Sequence, residues 1–586
     1  MRAWLEMRPR LGLGLGLGLA AGGIEVAVRS RSLLGMSITE VLQWWLIGVG
    51  SSVVIGLGVA LLFRWSRAPV GAVVAVLLGV HGCMIFRYGL VVNRYLRDPV
   101  VWGGALAVLA LAMGIGWAAQ RELGLRIPQV VRGALGVGLL TLPIALVRGH
   151  PTSLDAPAVG PNVLLITLDT LRPDRLGAYG SANRTPTIDG LAMSGALFQT
   201  AVSPAPLTQP AHLSILTGLP PHLTGVVSNG TDIGDRPALL QRVLADHGWR
   251  TAGFVGAFPL HSRFGWAQGM SVFDDDFGED PGLHRLNLVR AWDLVAQRSH
   301  TLRERRGSQV VDRAAAWLER QEGAPFFLWV HLFDPHAPYE APGHAFDPPT
   351  DGAVLDLPAF WPAAHQAITS TSWLSSAYDA EVRYVDAQLG RLLAVLRHRG
   401  ELENTLIVLT ADHGESLTEH GLLFDHGDDL MEPSLRVPLI FRWPGEVVPT
   451  TLSCLASNMD TAPTVLGLLG IEDGLTRHGV DRSAVLRGGN CIDSHVLATT
   501  VSGRFVDPAP IDHALRWPGA KRVVPAFGPA TCWRVPAEVG GEEQVADCLP
   551  GMAGAMERAL DDLVSPEAPR TDPETLEALE ALGYME

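Results

Sequence analysis

Four apolar stretches near the N-terminus constrain the fold of this 586-residue chain more than any other feature of its sequence. They lie at roughly 41–63, 68–86, 100–119 and 127–147, and each approaches the ~20 residues with which a helix crosses a bilayer. The stretch 100–119 contains no charged residue, whereas a helix on a soluble core has a polar face. We therefore predict a transmembrane domain over residues 1–148, with four helices, or five if residues 11–28 also span the membrane.

Charge divides the chain at the same place. Residues 1–150 contain 14 arginines and 5 acidic residues, although the whole chain has a net charge of −15, so residues 151–586 are strongly acidic. Nucleic-acid binding requires clustered cations, which the acidic part lacks, and we predict no nucleic-acid partner. If five helices span the membrane with the N-terminus inside, seven arginines are cytoplasmic and six are outside. This small excess favours an extracytoplasmic acidic part in a multi-pass protein of a bacterial-type inner (cell) membrane.

From residue 162 onwards, short apolar runs alternate with amphipathic helical stretches, a pattern typical of an α/β fold with a parallel sheet. Residues 162–169 and 404–412 are the clearest buried strands, and each ends in an aspartate. Helical spacing of apolar residues indicates a helix before the second strand, from Tyr378 to Arg399. Because parallel strands present ligands at their carboxyl ends, Asp169 and Asp412 can share one site.

The acidic part contains four cysteines, Cys454, Cys491, Cys532 and Cys548, which allow three pairings. If this part is outside the cytoplasm, Cys532 with Cys548 is the most local disulfide, and four unpaired thiols are the alternative. Their spacing is not that of a zinc site.

Carboxylate and imidazole groups follow the two strands where a ligand would lie. Asp169 occurs in LDTLRPD, and Asp412 is followed directly by His413 in ADHGE. Such groups at the end of a strand can bind a divalent metal ion from a single turn. An aspartate after a strand also caps helices, which remains the alternative for Asp169.

Two further segments carry groups suited to ester chemistry. Pro210 and the apolar residues after it place Thr208 at a helix N-terminus, where the dipole and free N–H groups attract anions. Thr208 acts as a nucleophile only if metal coordination deprotonates it, and otherwise it is a helix cap. His336 lies between prolines in HLFDPHAPY, after the apolar strand 326–332, where a histidine can protonate a leaving oxygen.

Together these segments resemble the sulfatase branch of the alkaline phosphatase superfamily. The likeness covers roughly residues 160 to 500, and it is carried by NVLLITLDTLRPDRLGAYG, LTGLPPHLTGV, HLFDPHAPY, ADHGESLTEHG, LRVPLIFRWPG and the terminal DPETLEALEALGY. It implies a doubly wound, mostly parallel sheet with helices on both faces. We accordingly predict a linker at 149–160, a sulfatase-like catalytic domain at 161–500, and a small C-terminal subdomain and tail at 501–586.

The resemblance also implies roles for individual residues. Asp169, Asp412 and His413 match the family's ligands for one divalent metal ion, which we expect to be Ca²⁺, Mg²⁺ or Mn²⁺. Thr208 matches the nucleophile, and His336 matches the histidine near the leaving group.

Three more positions are implied to contact the anion. Asn229 resembles an asparagine that contacts its oxygens, and His426 falls within one residue of an anion-binding lysine. This chain has a single lysine, Lys521, which is far from that position in the sequence. His212 stands where the family usually has an arginine that orients the anion.

The nucleophile also departs from the family. Sulfatases oxidise a cysteine or serine to formylglycine, and Thr208 cannot form that aldehyde hydrate. A threonine nucleophile resembles instead the phosphoethanolamine and lipoteichoic-acid transferases of the superfamily, which also have N-terminal spans.

Three functions therefore stay open. The first is a membrane-anchored, metal-dependent enzyme that cleaves or transfers a sulfate or phosphate ester of a small molecule, glycan or lipid headgroup. The second is a phosphoethanolamine- or glycerophosphate-type transferase that acts on envelope lipid or glycan. The third is a non-catalytic membrane domain that binds or senses a ligand, although such a domain does not need a complete metal site.

Overall fold

The computed structural model describes residues 160–560 apart from 237, 278–303, 322, 345–346, 350, 359–360, 363–364, 494, 502–510 and 537–538. All described residues belong to one compact unit. The predicted transmembrane helices, nearly all of the predicted linker and residues 561–586 lie outside this part of the chain. Within it, no helix combines the length and the apolar character that are needed to cross a membrane.

The larger sheet is mixed and mostly parallel. Its nine strands among the described residues are β1 (Asn162–Leu168), β2 (Ala196–Val202), β3 (Arg250–Val255), β4 (Val272–Asp274), β5 (Phe326–Leu332), β6 (Thr405–Ala411), β7 (Arg436–Val437), β8 (Leu439–Arg442) and β9 (Thr450–Ser457). The strands β4-β3-β5-β1-β6 are parallel in that order. Strand β8 is antiparallel to β6, whereas β2 is antiparallel to β7 and β8 and parallel to β9. The sheet confirms the predicted α/β class.

The helices among the described residues are α1 (Pro186–Met193), α2 (Thr208–Thr217), α3 (Pro221–Thr224), α4 (Leu240–Asp246), α5 (Gly307–Glu319), α6 (Thr371–His398), α7 (Glu432–Leu435), α8 (Thr461–Leu469), α9 (Ser483–Leu486) and α10 (Met552–Leu560). Helices α1 to α7 lie between strands of this sheet, whereas α8, α9 and α10 follow its last strand. The predicted helix before β6 is confirmed as α6, which begins seven residues earlier than expected because Ser370 caps it and accepts a hydrogen bond from the N–H of Trp373.

The three central strands position the candidate site. Every residue of β1, β5 and β6 is buried, as expected for short runs of branched apolar residues in a parallel sheet. Leu168 pairs with Leu332 on one side and with Ala411 on the other, so the three strands end together. The residues that follow them, among them Asp169 and Asp412, therefore meet at one edge of the sheet.

A second, antiparallel sheet follows the first. Its strands, in order across the sheet, are β10 (Val496–Val501), β11 (Ile511–Trp517), β12 (Ala520–Val524), β13 (Thr531–Arg534) and β14 (Glu543–Val545). This sheet begins before residue 501, the predicted start of the C-terminal subdomain.

The four cysteines of the described part form two disulfides. Cys532 pairs with Cys548, which confirms the most local pairing, and Cys454 pairs with Cys491. The Cα atoms are 5.2 Å apart in the first bond and 5.7 Å apart in the second, as is usual for disulfides.

Candidate active site

Hydrogen bonds fix one carboxylate oxygen of Asp412, and the other oxygen faces His413. Its Oδ1 accepts hydrogen bonds from the backbone N–H groups of His413 (2.8 Å) and Thr170 (3.3 Å). Its Oδ2 has no hydrogen-bond partner among the described residues and lies 3.6 Å from His413 Nε2. The two strand ends β1 and β6 thus jointly orient this carboxylate.

His413 presents one ring nitrogen to both aspartates. Its Nδ1 lies 3.0 Å from the carbonyl oxygen of Gly414, which can only accept, so Nδ1 carries the proton and Nε2 has the lone pair. Nε2 lies 3.8 Å from Asp169 Oδ1. One ligand atom each from Asp169, Asp412 and His413 thus lies within 4.8 Å of the others, close enough to bind one metal ion.

The chemistry of these residues fits a cation. Asp169 and Asp412 are fully buried, and neither forms an ion pair with an arginine or lysine within the described part of the chain. Both oxygens of Asp169 and the Nε2 of His413 also lack a hydrogen-bond partner there. Burial raises the pKa of Asp169 to about 7. Buried carboxylates without partners are unfavourable unless a cation balances them.

Thr208 is the first residue of α2, as the sequence predicts. It is fully buried, and its hydroxyl has no hydrogen-bond partner among the described residues. The positive end of the helix dipole lies at this N-terminus, whereas the N–H of Gln209 bonds to Asn229 and Pro210 has no N–H. The position suits a group that reacts with an anion.

His212 connects Thr208 to Asp412. Its Nδ1 lies 2.8 Å from the carbonyl oxygen of Thr208 and 3.5 Å from Asp412 Oδ2. Its Nε2 lies 3.0 Å from the hydroxyl of Thr167, which also accepts a hydrogen bond from the indole of Trp329. Burial lowers the pKa of His212 to about 3, so the ring is neutral at neutral pH. Both ring nitrogens thus have protein partners.

A second possible metal group consists of His212, His331 and Asp412. It is less suitable than the first, because His212 already uses both ring nitrogens. In His331, Nδ1 accepts from the N–H of Gly256 (3.4 Å), so its Nε2 carries a proton and faces Asp169.

Asn229 contacts the first turn of α2. Its Oδ1 accepts a hydrogen bond from the backbone N–H of Gln209 (2.8 Å), the residue after Thr208. The side chain of Gln209 in turn bonds to the backbone N–H and carbonyl of Thr231 (3.0 and 3.3 Å). These bonds hold Asn229 next to the candidate nucleophile.

The ring of His426 packs against His413, and His336 contacts His426 edge to face. The ring centroids of His413 and His426 are 4.5 Å apart, and those of His426 and His336 are 4.9 Å apart. His336 Nδ1 donates to the carbonyl oxygen of Ala337 (2.7 Å), and burial lowers the pKa of the ring to about 3. His426 Nδ1 lies 3.2 Å from Glu415 Oε1.

The structure therefore brings all the site residues expected from the sequence into one connected set of contacts. It adds two that the sequence analysis missed, His331 and Glu415, which are both fully buried. His331 Nε2 lies 3.5 Å from Asp169 Oδ2. Burial raises the pKa of Glu415 well above its usual value, and the charges of Asp425 and Asp169 add to the shift. The sequence signal that could have identified His331 is its place as an ionisable residue in the otherwise apolar run of β5.

Comparisons with known proteins relate this part of the chain to one family. The sulfatase family model matches residues 161–471. A sulfatase of Formosa agariphila is 28% identical over 366 residues, which cover 53% of this chain and 70% of that protein. Iduronate 2-sulfatase of Homo sapiens is 27% identical over 371 residues, which cover 54% of this chain and 66% of that protein. The solved structure of the phosphonate monoester hydrolase of Agrobacterium radiobacter is 22% identical, has a TM-score of 0.55, and covers 69% of this chain and 95% of its own, a likeness in fold.

Proposed function

This chain belongs to the sulfatase family of the alkaline phosphatase superfamily and is a hydrolase of sulfuric or phosphoric esters, and we propose that Thr208 is its nucleophile. The observation that carries the proposal is the position of this buried hydroxyl. It stands at the start of α2, and His212 connects the same residue to Asp412.

One divalent cation would be bound by Asp169, Asp412 and His413. In this proposal the hydroxyl of Thr208 is a further ligand of the cation. Mixed carboxylate and imidazole donors favour Mn²⁺ over Ca²⁺ and Mg²⁺, because these harder ions prefer oxygen ligands alone. When bound, such a cation lowers the pKa of a coordinated hydroxyl and neutralises charge on the nonbridging oxygens of the ester.

The protein's own groups then bind the ester and move protons. The backbone N–H of Thr208, the amide of Asn229 and the ring of His426 would hold the anion. Thr208 Oγ1 releases its proton to solvent and forms a bond to phosphorus or sulfur while the bond to the leaving oxygen breaks. His336 Nε2 protonates that oxygen, and the negative charge of the bound ester favours the protonated ring. His212 holds the first turn of α2 in place.

Phosphate esters are the better substrates in this proposal. A threonine cannot form the aldehyde hydrate whose collapse releases sulfate, so water must displace Thr208 from the covalent intermediate. Water would give one proton, through solvent, to the departing oxygen of Thr208, which thereby recovers its hydroxyl. An acceptor alcohol in place of water would make the chain a transferase of the phosphoethanolamine or glycerophosphate type. Small molecules, glycans and lipid headgroups remain the substrate classes.

We also propose that the catalytic domain is anchored to the membrane and lies outside the cytoplasm. The apolar stretches of residues 1–148 support the anchor. The two disulfides support an oxidising compartment. Recovery of the chain in the membrane fraction, with cleavage by protease added to spheroplasts, is the expected result. A chain that is released without detergent contradicts it.

Activity assays on the purified full chain test the nucleophile and the ester class. The substrates are nitrophenyl phosphate, nitrophenyl sulfate and bis(nitrophenyl) phosphate, each with Mn²⁺, Mg²⁺ or Ca²⁺. We expect Mn²⁺-dependent turnover of a phosphate ester, its retention in part by Thr208→Ser and its loss in Thr208→Ala. Thr217→Ala is the control, because Thr217 ends the same helix and its hydroxyl bonds only to the backbone of Leu213 and Leu219 among the described residues. Unchanged turnover by Thr208→Ala refutes the proposal, and absence of any turnover favours a binding domain.

A further inference from the structure

Strand β10 of the second sheet contacts two loops that carry candidate site residues. The backbone N–H of Thr499 donates to the carbonyl oxygen of Pro204 (2.9 Å), in the loop that leads to α2. The hydroxyl of its neighbour Thr500 donates to the carbonyl oxygen of Gly427, directly after His426. Adjacent residues of one strand therefore bridge the nucleophile loop and the His426 loop.

Four buried charged residues lie in or next to the His426 loop, which comprises residues 425–435. We call them the charge cluster, and they are Glu432, Arg516, Lys521 and Glu542, none more than 7% exposed. Arg516 contacts both carboxylate oxygens of Glu432 (3.0 and 3.3 Å). Lys521 Nζ lies 3.2 Å from Glu542 and 3.8 Å from Glu432. Two positive and two negative charges balance, and removal of one alone would leave a buried charge without compensation.

Backbone contacts attach the charge cluster to the His426 loop. Lys521 Nζ also donates to the carbonyl oxygen of Leu430 (2.9 Å), four residues after His426. The backbone N–H of Glu432 donates to Glu542 Oε1 (2.7 Å). The single lysine of the chain, Lys521, therefore holds the backbone of the His426 loop. The resemblance leads one to expect instead a lysine that contacts the anion.

The short helix α7, which Glu432 begins, lies against the residues that follow the candidate metal ligands. The N–H of Gly414 donates to the carbonyl oxygen of Ser434 (2.9 Å). A Cβ atom at Gly414 would clash with the carbonyl oxygen of Pro433. These two contacts hold α7 against the backbone next to His413 without the side chains of the charge cluster.

We propose that Lys521 and Arg516 are positioning residues, which hold residues 425–435 so that His426 keeps its place against His413. Neither cation contacts the candidate ligands or nucleophile in the described structure, so both act through the loop. The inference rests on the proposed function, because His426 holds the anion in that proposal. Loosening of the loop would weaken anion binding and leave Asp169, Asp412 and His413 in place.

A charge-balanced double variant tests this inference in the full chain. Lys521→Met with Glu542→Gln removes one positive and one negative charge and leaves Arg516 paired with Glu432. We expect the Mn²⁺ content to stay at the wild-type level, while competitive inhibition by inorganic phosphate weakens and kcat/KM falls about 10- to 100-fold. Hydrogen exchange at residues 425–431 should become faster.

The matched control is Arg534→Met with Glu543→Gln. This pair lies on neighbouring strands of the same sheet, but its side chains are 69% and 71% exposed. Equal phosphate inhibition and equal exchange at residues 425–431 in the two double variants would overturn the inference. A wild-type chain that hydrolyses no ester refutes the proposed function alone, because the exchange measurement still tests whether the charge cluster holds the loop.

A second double variant covers the case in which the first does not fold. The double variant Arg516→Met with Glu432→Gln retains Lys521. Reaction of Lys521 with an acetylating ester then reports how often the His426 loop moves away from it. Lys521 is fully buried, so we expect no acetylation in the native wild-type chain and measurable acetylation in the variant. Acetylation of Lys521 at the same rate in both would contradict the positioning role.

Discussion

His331 Nε2 lies 3.5 Å from Asp169 Oδ2, at the carboxyl ends of two neighbouring strands. Burial lowers the pKa of His331 to about 4, although Asp412 opposes the shift, so the ring is neutral. Its Nδ1 accepts from Gly256, and Nε2 can therefore donate towards the carboxylate. The strand β5 thus supplies a group that orients a candidate metal ligand on β1.

Replacement of His331 by phenylalanine should weaken Mn²⁺ binding about 10- to 100-fold, because Asp169 loses the imidazole N–H that faces its Oδ2 and helps to orient it. Isothermal titration of the metal-free protein measures the change. His247→Phe is the control, since His247 is exposed at the end of α4. Equal affinities of the two variants would show that His331 does not orient Asp169.

Asp169→Asn should raise the stability of the metal-free protein and abolish the stabilisation that the metal gives. In EDTA, the free energy of unfolding of the variant should be about 1–3 kcal/mol higher than that of the wild type, because the substitution removes a buried charge without a partner. With Mn²⁺ at 100 times its Kd, the wild type alone should gain about 2.7 kcal/mol. Urea unfolding measures both values, and Asp312→Asn, at an exposed position, is the control. Equal stabilisation of variant and wild type by Mn²⁺ would contradict the assignment.

His336→Asn should reduce hydrolysis in a way that depends on the leaving group. Nitrophenolate leaves without protonation, so its phosphate ester should be hydrolysed at nearly the wild-type rate. An alkyl phosphate needs a proton donor and should react about 10²- to 10⁴-fold more slowly. Steady-state rates on both substrates measure the difference, and the buried His365 gives a matched control in His365→Asn. Equal losses on the two substrates would argue against a proton donor.

Glu419→Gln should destabilise the protein at neutral pH and have little effect in acid. Burial alone would raise the pKa of Glu419, but the charge of Arg172 and the N–H groups of Thr418 and Leu417 outweigh it and lower the pKa to about 2. The ionised form therefore stabilises the fold above pH 4.5, its ordinary pKa, and this contribution disappears as the pH falls towards 2. Urea unfolding between pH 6 and 3 measures the difference, with the exposed Glu403→Gln as control.

The parts of the fold that depend on local sequence could be predicted. Strands β1 and β6 are short branched apolar runs, and Pro210 signals the start of α2, so Thr208 and the strand-end aspartates were placed from the sequence. His336 was placed in the same way, by its prolines and the strand before it. Motif order then related these segments to one family.

Contacts between distant segments could not be predicted. His331 sits in an apolar run, and its partner Asp169 lies on another strand, so only the register of β1 with β5 reveals the pair. The bond between Glu432 and Glu542 spans 110 residues, and no local pattern marks either of them as buried. Charged residues in a sequence look alike until the fold shows which are desolvated.

Trapping of the covalent intermediate tests the central claim most directly. The full chain is mixed with Mn²⁺ and nitrophenyl phosphate, and the reaction is quenched in acid within milliseconds. The protein is then digested and analysed by accurate-mass spectrometry. The account predicts a phosphoryl group on Thr208 in the wild type, at a level that falls as the substrate is exhausted. A modified residue other than Thr208, or turnover in Thr208→Ala at the wild-type rate, would contradict it.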